Sequence, residues 1–403
     1  MTGTPHLPAL GRRGLLLGLT ALAASGGARA AFAQGAGPQA EKRLVVVILR
    51  GAMDGLHVVA PYADPGLAAL RPGLALPEPG REGGLLDLGG FFGLHPLLPT
   101  LHRLYAANEA LVVHAVAGPY RTRSHFDGQD LLEGGGEQRL TSGWLNRALS
   151  AMPSDRGRAS RRGIALGLDL PLVIRGPQAV GMWAPPRPAR PEPDLYARMA
   201  ELLHADPVIA PHLREGMRGR GFAGEALAQG APMEAAGGFP RLAAAAGRLL
   251  AAANGPRIAA MEIGGWDTHV AQEQRIGPVL TQLDRGIAAL RAGLGEHWRH
   301  TAVLCITEFG RTARVNGNLG TDHGTGGAAF LLGGAVRGGR VLADWPGLHP
   351  DRLFENRDLR PTRDLRAIAK GLLRDHLRLP PAAIAAAFPG SEAVAPEGGL
   401  LRG

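Results

Sequence analysis

Short, continuous runs of apolar residues recur along the 403-residue chain and restrict how it can fold. A run without alternating polar residues is typical of a strand buried on both faces, as in a parallel sheet. Helical periodicity separates some of the runs, most clearly over 279–294. Strands that alternate with helices predict an α/β fold with a doubly wound, mainly parallel sheet flanked by helices. The predicted strands are 44–49, 110–116, 172–174, 257–263, 301–307 and 328–332.

The composition excludes several classes of protein. The 60 glycines and 32 prolines approach a quarter of the chain, yet 45% of the residues are hydrophobic, which argues against disorder. The formal net charge is +9, but the arginines are dispersed among acidic residues and aromatics make up only 5%. This pattern does not support a base-stacking or nucleic-acid-binding surface. The single cysteine, Cys305, excludes an intramolecular disulfide and a multi-cysteine metal site, and its apolar context indicates a buried residue.

The amino terminus resembles an export signal. Arg12 and Arg13 precede about ten apolar residues, and two small-x-small sites follow at 28–30 and 31–33. The paired arginines favour a twin-arginine signal over residues 1–33, with an ordinary secretory signal as the alternative. We therefore expect a periplasmic or secreted α/β domain over 34–403. The apolar stretch of the leader is too short to cross a bilayer, and we expect no membrane span in the mature chain.

Residues 177–239 differ from the rest of the predicted domain. The segment opens with a proline-rich stretch and continues with glycines and helix-compatible sequence. We interpret it as an insertion or cap between two halves of the sheet. Beyond it, helices are predicted in the carboxyl-terminal tail over 363–373 and 381–388.

Polar groups follow two of the early predicted strands. Asp54 comes after the first strand, where Asp-Gly is also a common turn pair. Ser124 and His125 follow the strand 110–116, next to Arg123, and could supply a nucleophile and anion-binding groups. The alternative is a helix N-cap, because Asp127 stands three residues after Ser124 as in a capping box.

Further polar groups lie beside the later strands. Asp267 and His269 follow the strand 257–263, where an N-cap in a surface loop is the alternative. Glu308 and Arg311 follow the strand 301–307, where an ion pair that fixes the loop is the alternative. The most specific signal is the glycine-rich loop 316–327. It carries two adjacent side chains with ligand atoms, Asp322 and His323.

These residues together predict a metal site. Chemistry in doubly wound sheets gathers at the carboxyl ends of strands, which is where the polar groups fall. Their carboxylates and imidazoles suit one or two divalent ions, namely Zn²⁺, Mn²⁺, Mg²⁺ or Ca²⁺. The candidate ligands are Asp54, Asp267, His269, Glu308, Asp322 and His323.

The same residues resemble the metal-site layout of the alkaline phosphatase and sulfatase superfamily. More closely, the chain resembles an exported bacterial family catalogued as domain of unknown function 1501, placed in the alkaline-phosphatase-like fold. The likeness covers nearly all of the mature chain and includes the leader. Its motifs here are 50–56 (RGAMDGL), 123–126 (RSHF), 142–147 (SGWLNR), 307–312 (TEFGRT), 320–324 (GTDHG) and 332–339 (LGGAVRGG).

The resemblance implies roles for these residues. Asp54 would be the first metal ligand and Ser124 the nucleophile, while Asp267 and His269 would serve one metal. Glu308 would replace an aspartate, His323 would be the late histidine, and Asp322 a possible extra ligand. The superfamily usually ends one strand with an Asp-His pair and spaces its middle Asp and His by three residues or more. The departures here indicate a remodelled site or fewer metals.

Three hypotheses of function follow. The first is an exported metal-dependent hydrolase of phosphate or sulfate esters, in which Arg121, Arg123 and Arg311 bind the small anionic substrate. The second is a catalytically inactive relative with a secreted binding or assembly role. The third is a metal-free Ser/His hydrolase built on Ser124, which the absence of a Gly-x-Ser-x-Gly motif disfavours.

Overall fold

The structure, a computed structural model, describes residues 42–152, 162–185, 198–199, 201–228 and 237–402. The predicted signal peptide, 1–33, and most of the proline-rich stretch lie outside these residues. The strands of the main sheet are β1 (Arg43–Leu49), β5 (Ala110–Ala117), β6 (Gly163–Leu166), β7 (Gly181–Trp183), β8 (Ile258–Ile263), β9 (Thr301–Ile306), β10 (Gly327–Leu332), β11 (Arg340–Leu342) and β12 (Arg363–Asp364). A small second sheet contains β2 (Val59–Ala60), β3 (Leu86–Asp87) and β4 (Gly93–Leu94).

The main sheet is parallel except for one strand. Its order is β11-β5-β10-β9-β1-β8-β6-β7, and β12 extends the pairing of β5. β10 runs antiparallel to both of its neighbours, β5 and β9, while the other pairings are parallel. Most carboxyl ends of the strands therefore meet at one edge, and β10 alone presents its amino end there.

Helices cover both faces of this sheet. They are α1 (Gly55–Val58), α2 (Gly66–Leu70), α3 (Pro99–Ala106), α4 (His125–Gly134), α5 (Trp144–Leu149), α6 (Ile209–Ala228), α7 (Phe239–Ala251), α8 (Gln272–Leu294), α9 (Leu365–Gly371) and α10 (Pro381–Ala387). Alternate residues of β1 point into two separate cores. Val45, Val47 and Leu49 pack with residues of α3, α7 and α8. Leu44, Val46 and Ile48 pack with residues of α5, α9 and α10.

The predicted α/β class is confirmed. Five of the predicted strands form as expected, because each is a mostly apolar run that is buried along nearly all of its length. The predicted strand 172–174 is wrong. Leu172–Ile174 is a single 3₁₀ turn that begins after Pro171, a residue that cannot donate to a sheet ladder. Seven short strands, namely β2, β3, β4, β6, β7, β11 and β12, were not predicted.

The predicted insertion contributes to the sheet as well as to the surface. Its residues Gly181–Trp183 form the edge strand β7, which pairs with β6. Its helix α6 packs against the core through Phe222, Ala223 and Leu227. Across the described residues we find no helix with both the length and the apolar character needed to cross a membrane.

Candidate metal centre

The candidate site lies where loops leave the carboxyl edge of the main sheet. His125 is the first residue of α4, which is separated from β5 by a short loop. Asp267 and His269 lie in the loop after β8. His323 lies in the loop before β10. It reaches the same edge because β10 runs antiparallel to its neighbours. The reversed strand explains why this ligand precedes its strand in the sequence.

Three imidazoles surround one carboxylate oxygen, Oδ1 of Asp267. The Nε2 atom of His269 lies 3.0 Å from it, that of His323 3.3 Å, and that of His125 3.5 Å. His125, Asp267 and His323 offer ligand atoms that all lie within 4.8 Å of one another. Bonds of about 2 Å from each ligand to a single ion can span such separations.

The opposite nitrogen of each ring is held by an acceptor. Nδ1 of His125 lies 2.8 Å from Glu308, and Nδ1 of His269 lies 3.0 Å from Asp322. Nδ1 of His323 lies 2.8 Å from the backbone oxygen of Arg123. Each contact places the proton on Nδ1 of a neutral ring and directs the Nε2 lone pair inward. Metal-binding histidines are held in this way by their outer partners.

The inner faces of the rings lack the partners that they need. Nε2 of His269 lies only 2.9 Å from Nε2 of His323, so two lone pairs face each other when both rings are neutral. Nε2 of His125 is buried and has no hydrogen-bond partner. A cation between these atoms removes both defects, because it accepts all three lone pairs and offsets the charge of Asp267. The residues therefore fit a divalent ion.

The surrounding charges keep the two acidic groups ionised. Burial acts to raise the pKa of Asp267, but the hydrogen bond and charge of Arg311 lower it to about 2. Burial acts in the same direction on Glu308, where hydrogen bonds, led by that of His125, hold the pKa at about 2. In return, the hydrogen bond to Glu308 raises the pKa of His125, although burial opposes this.

Arg311 contacts Asp267 from the protein interior. Its side chain is buried, and its Nη2 lies 2.5 Å from Oδ1 of Asp267. Its remaining donors contact backbone oxygens of Gly51, Ala52, Trp266 and Thr321. With its donors used by the protein, Arg311 positions Asp267 and joins three loops. This geometry favours that role over the contact with a substrate anion that its sequence position suggested.

Asp54 makes different contacts from the other predicted ligands. It is 1% exposed, and its Oδ2 accepts from Nη1 of Arg71 at 2.6 Å and from Nε2 of Gln272 at 2.7 Å. Burial acts to raise the pKa of Asp54, but the charge of Arg71 lowers it. The negative charge of Asp54 is therefore balanced by Arg71, and within the part of the chain that the structure describes Asp54 makes no hydrogen bond or ion pair with the three histidines.

Ser124 and Arg123 lie beside the cluster. Ser124 is the N-cap of α4, but its hydroxyl does not cap the helix, so the sequence alternative of a capping box is not formed. Its backbone places it directly before His125. Arg123 has a φ of +66° and ion-pairs with Glu355 and Asp358. These contacts engage its guanidinium with two acidic side chains of the protein.

The structure adds residues and roles that the sequence did not show. His125, predicted as a catalytic group, is one of the three converging imidazoles, and Asp322 and Glu308 hold histidines from behind. The Phe309 ring stacks on His125 with centroids 5.1 Å apart. Asn316 donates to Asp322, and Gln129 donates to Glu308. In the sequence, the only sign of a role for Asn316 at the site was its position in the glycine-rich loop 316–327.

A family model described as "Protein of unknown function (DUF1501)" matches residues 108–386. The chain belongs to this family. The family predicted from the sequence motifs is thus confirmed, and no curated protein matches the chain.

Several solved structures share a low level of similarity with this family member. The zinc complex of the C-terminal periplasmic domain of EcEptC from Escherichia coli is 9% identical, with 73% of each chain covered and a TM-score of 0.33. A protein in the alkaline phosphatase superfamily from Vibrio parahaemolyticus is 11% identical, with 75% and 62% covered and a TM-score of 0.30. A phosphonate monoester hydrolase of Agrobacterium radiobacter is 9% identical, with 75% and 70% covered and a TM-score of 0.29. At these values, the activity has to be inferred from the geometry of the site.

Proposed function

We propose that the protein is a divalent-metal-dependent hydrolase of phosphate or sulfate esters. One observation carries the proposal: three imidazole Nε2 atoms converge on one aspartate oxygen while each Nδ1 is held by an acceptor. This is the donor arrangement of a metal centre, and the 2.9 Å approach of two neutral imidazole nitrogens, Nε2 of His269 and Nε2 of His323, is costly when no ion lies between them. Between 23% and 46% of each of these four side chains is exposed, so a small substrate can reach the ligands.

The donor set favours zinc among the four candidate ions. Three nitrogens and one carboxylate oxygen suit Zn²⁺, whereas Mg²⁺ and Ca²⁺ prefer all-oxygen sites. A divalent ion bound here would supply Lewis-acid stabilisation of developing negative charge on a substrate oxygen.

The residues around the cluster have separable roles in this proposal. His125, His269, His323 and Asp267 bind the ion. Ser124, which adjoins His125 and leaves its hydroxyl out of the helix cap, is the nucleophile. Attack would form an ester between Ser124 Oγ and the phosphoryl or sulfuryl group, break the bond from that group to the alcohol oxygen, and release the alcohol, which takes up the proton lost by the Ser124 hydroxyl. Water would then hydrolyse that ester and restore the serine.

We further propose that the protein is exported and acts outside the cytoplasm. The support is the sequence of residues 1–33, with its paired arginines, apolar stretch and small-x-small sites. A site with solvent-exposed histidines and a single buried cysteine is compatible with export in a folded state.

The test combines metal content with hydrolysis. The purified protein is expected to hold close to one equivalent of zinc by elemental analysis, and His323→Ala is expected to lose it. Ser124→Ala should keep the metal and lose hydrolysis of aryl phosphates and sulfates. His349→Ala is a matched control, because His349 is an exposed histidine paired only with Asp351 among the described residues. Absence of metal from the wild-type protein after incubation with zinc would overturn the proposal.

The second candidate is an inactive relative that binds another molecule. It is favoured by the contacts of Arg123 and Arg311, since these two of the three predicted anion-binding arginines are engaged by protein acceptors. If the protein binds metal but hydrolyses no ester of the panel, and Ser124→Ala changes nothing, this second function is supported instead.

A further inference from the structure

A buried polar network lies beneath the candidate metal centre. Asp54 accepts from Arg71 at 2.6 Å and from Nε2 of Gln272 at 2.7 Å. Oε1 of Gln272 in turn accepts from the hydroxyl of Thr268 at 2.9 Å and from that of Thr321 at 2.6 Å. These five side chains are at most 1% exposed. Gln272 is thus the branch point between one carboxylate and two hydroxyls.

The two threonines belong to the two loops that carry most of the ligands. Thr268 stands between Asp267 and His269 in the loop 264–271, and Thr321 stands two residues before His323 in the loop 316–326. We call these two segments the ligand loops. The backbone of Gln272 also donates to Leu319 in the second loop, at 2.9 Å. Gln272, the buried first residue of helix α8, therefore contacts both ligand loops from the protein interior.

Only an amide side chain can satisfy all of these contacts. Nε2 must donate to a carboxylate, while Oε1 must accept from two hydroxyls. A glutamate would place a second carboxylate oxygen about 2.7 Å from Asp54 in a buried position. A leucine of similar size would remove one hydrogen bond from Asp54 and one from each threonine hydroxyl, and water cannot replace these bonds in a buried position.

We propose that Gln272 is a positioning residue that holds the two ligand loops in register and thereby sets the affinity for the divalent ion. This inference rests on the metal site of the proposed function. Asp54, predicted from the sequence as a metal ligand, here acts through Gln272: it orients the amide so that Oε1 faces the threonines. Arg71 fixes Asp54 in turn, through its contacts with the backbone oxygens of Thr312 and Ala313.

The first measurement is zinc affinity, by competition with a chelating dye at neutral pH. Gln272→Leu and Gln272→Glu are expected to weaken zinc binding by roughly 10- to 100-fold, the usual effect of removing an outer partner of a metal site. Gln282→Leu is the matched control, because Gln282 lies on the same helix and accepts only from the backbone of Phe239 among the described contacts. Its affinity should equal that of the wild type. Equal affinities for all four proteins would overturn the proposal.

The second measurement needs no metal. In chelator-treated protein, Gln272→Leu should speed amide hydrogen exchange in the ligand loops by at least about tenfold, because buried hydrogen bonds that close them are lost. Exchange in β1 and β9 should stay unchanged, which separates loop positioning from a general loss of stability. If the wild-type protein binds no zinc, the proposed function fails while faster loop exchange still supports the positioning role. Unchanged exchange in the ligand loops refutes that role.

Discussion

Replacing Glu308 with glutamine should cost the metal-free protein stability in a pH-dependent way. The side chain of Glu308 is fully buried and accepts from His125 at 2.8 Å and from the backbone of Gly51 at 2.9 Å. Although burial acts to raise its pKa, these hydrogen bonds lower it from 4.5 to about 2. A difference of this size corresponds to about 3 kcal/mol of folding free energy when the carboxyl is ionised. Glutamine keeps the shape of the side chain and lacks the charge.

The sign of the pH effect follows from the lowered pKa. The stabilisation by Glu308 is complete above the unfolded pKa of 4.5 and is lost as the pH falls toward about 2. The difference in unfolding free energy between the wild type and Glu308→Gln should therefore be about 3 kcal/mol near pH 5.5 and about 1 kcal/mol near pH 3. Carboxyl groups remote from Glu308 titrate in both proteins and cancel in the difference.

Urea unfolding of both proteins in the presence of chelator measures this difference directly. Tryptophan fluorescence is a suitable signal, because Trp144 and Trp266 are fully buried. A difference that stays constant between the two pH values would refute the reasoning, since a purely steric effect of the substitution does not titrate. A difference that widens on acidification would also contradict it.

Three further predictions concern single residues. His269→Ala should lower zinc affinity by at least about tenfold, measured by chelator competition, because it removes one of three converging nitrogens. Arg71→Met should lower the free energy of unfolding by about 3 to 5 kcal/mol, measured in urea, because it leaves Asp54 as a buried unpaired charge. Gly310→Ala should destabilise the protein by more than about 2 kcal/mol, because the new Cβ would lie 1.9 Å from the backbone oxygen of Gly326.

Two of these have a matched comparison. Gly317→Ala adds the same methyl group where nothing lies within 4 Å, and it should leave stability unchanged. The double variant Arg71→Met/Asp54→Asn should recover part of the lost stability, since it removes the charge as well as its partner. For His269→Ala, a wild-type affinity would show that His269 is not a ligand.

The long strands could be predicted from the sequence because burial on both faces leaves a continuous apolar run. Two of the strands that were missed, β7 and β11, are half-buried or exposed along the sheet edges, so their residues carry no such pattern. The short β6 follows a stretch rich in arginine. The run 172–174 was predicted as a strand but forms a single turn. Its apolar residues fill a position in the core without pairing in the sheet.

The location of the site could be predicted, but the role of each residue could not. Strand ends place His269, Asp322 and His323 at one edge, as expected. Which ring nitrogens face inward depends on side-chain contacts between loops far apart in the sequence. The partner of Asp54 is an example: Arg71 follows a turn and a short helix and has no motif around it, yet it decides the charge balance at Asp54.

The reversed strand β10 also sets when the site can form during synthesis. β10 lies between β5 and β9 in the sheet. It can pair with both only when these two strands, which are separated by about two hundred residues in the sequence, have come together. His125 follows β5 in the sequence, whereas His323 lies in the loop before β10. A nascent chain that has not yet released residue 332 from the ribosome thus has part of the ligand set but no assembled pocket. Metal uptake is accordingly expected to be a late event, and bound zinc would report that the last central strand is in place.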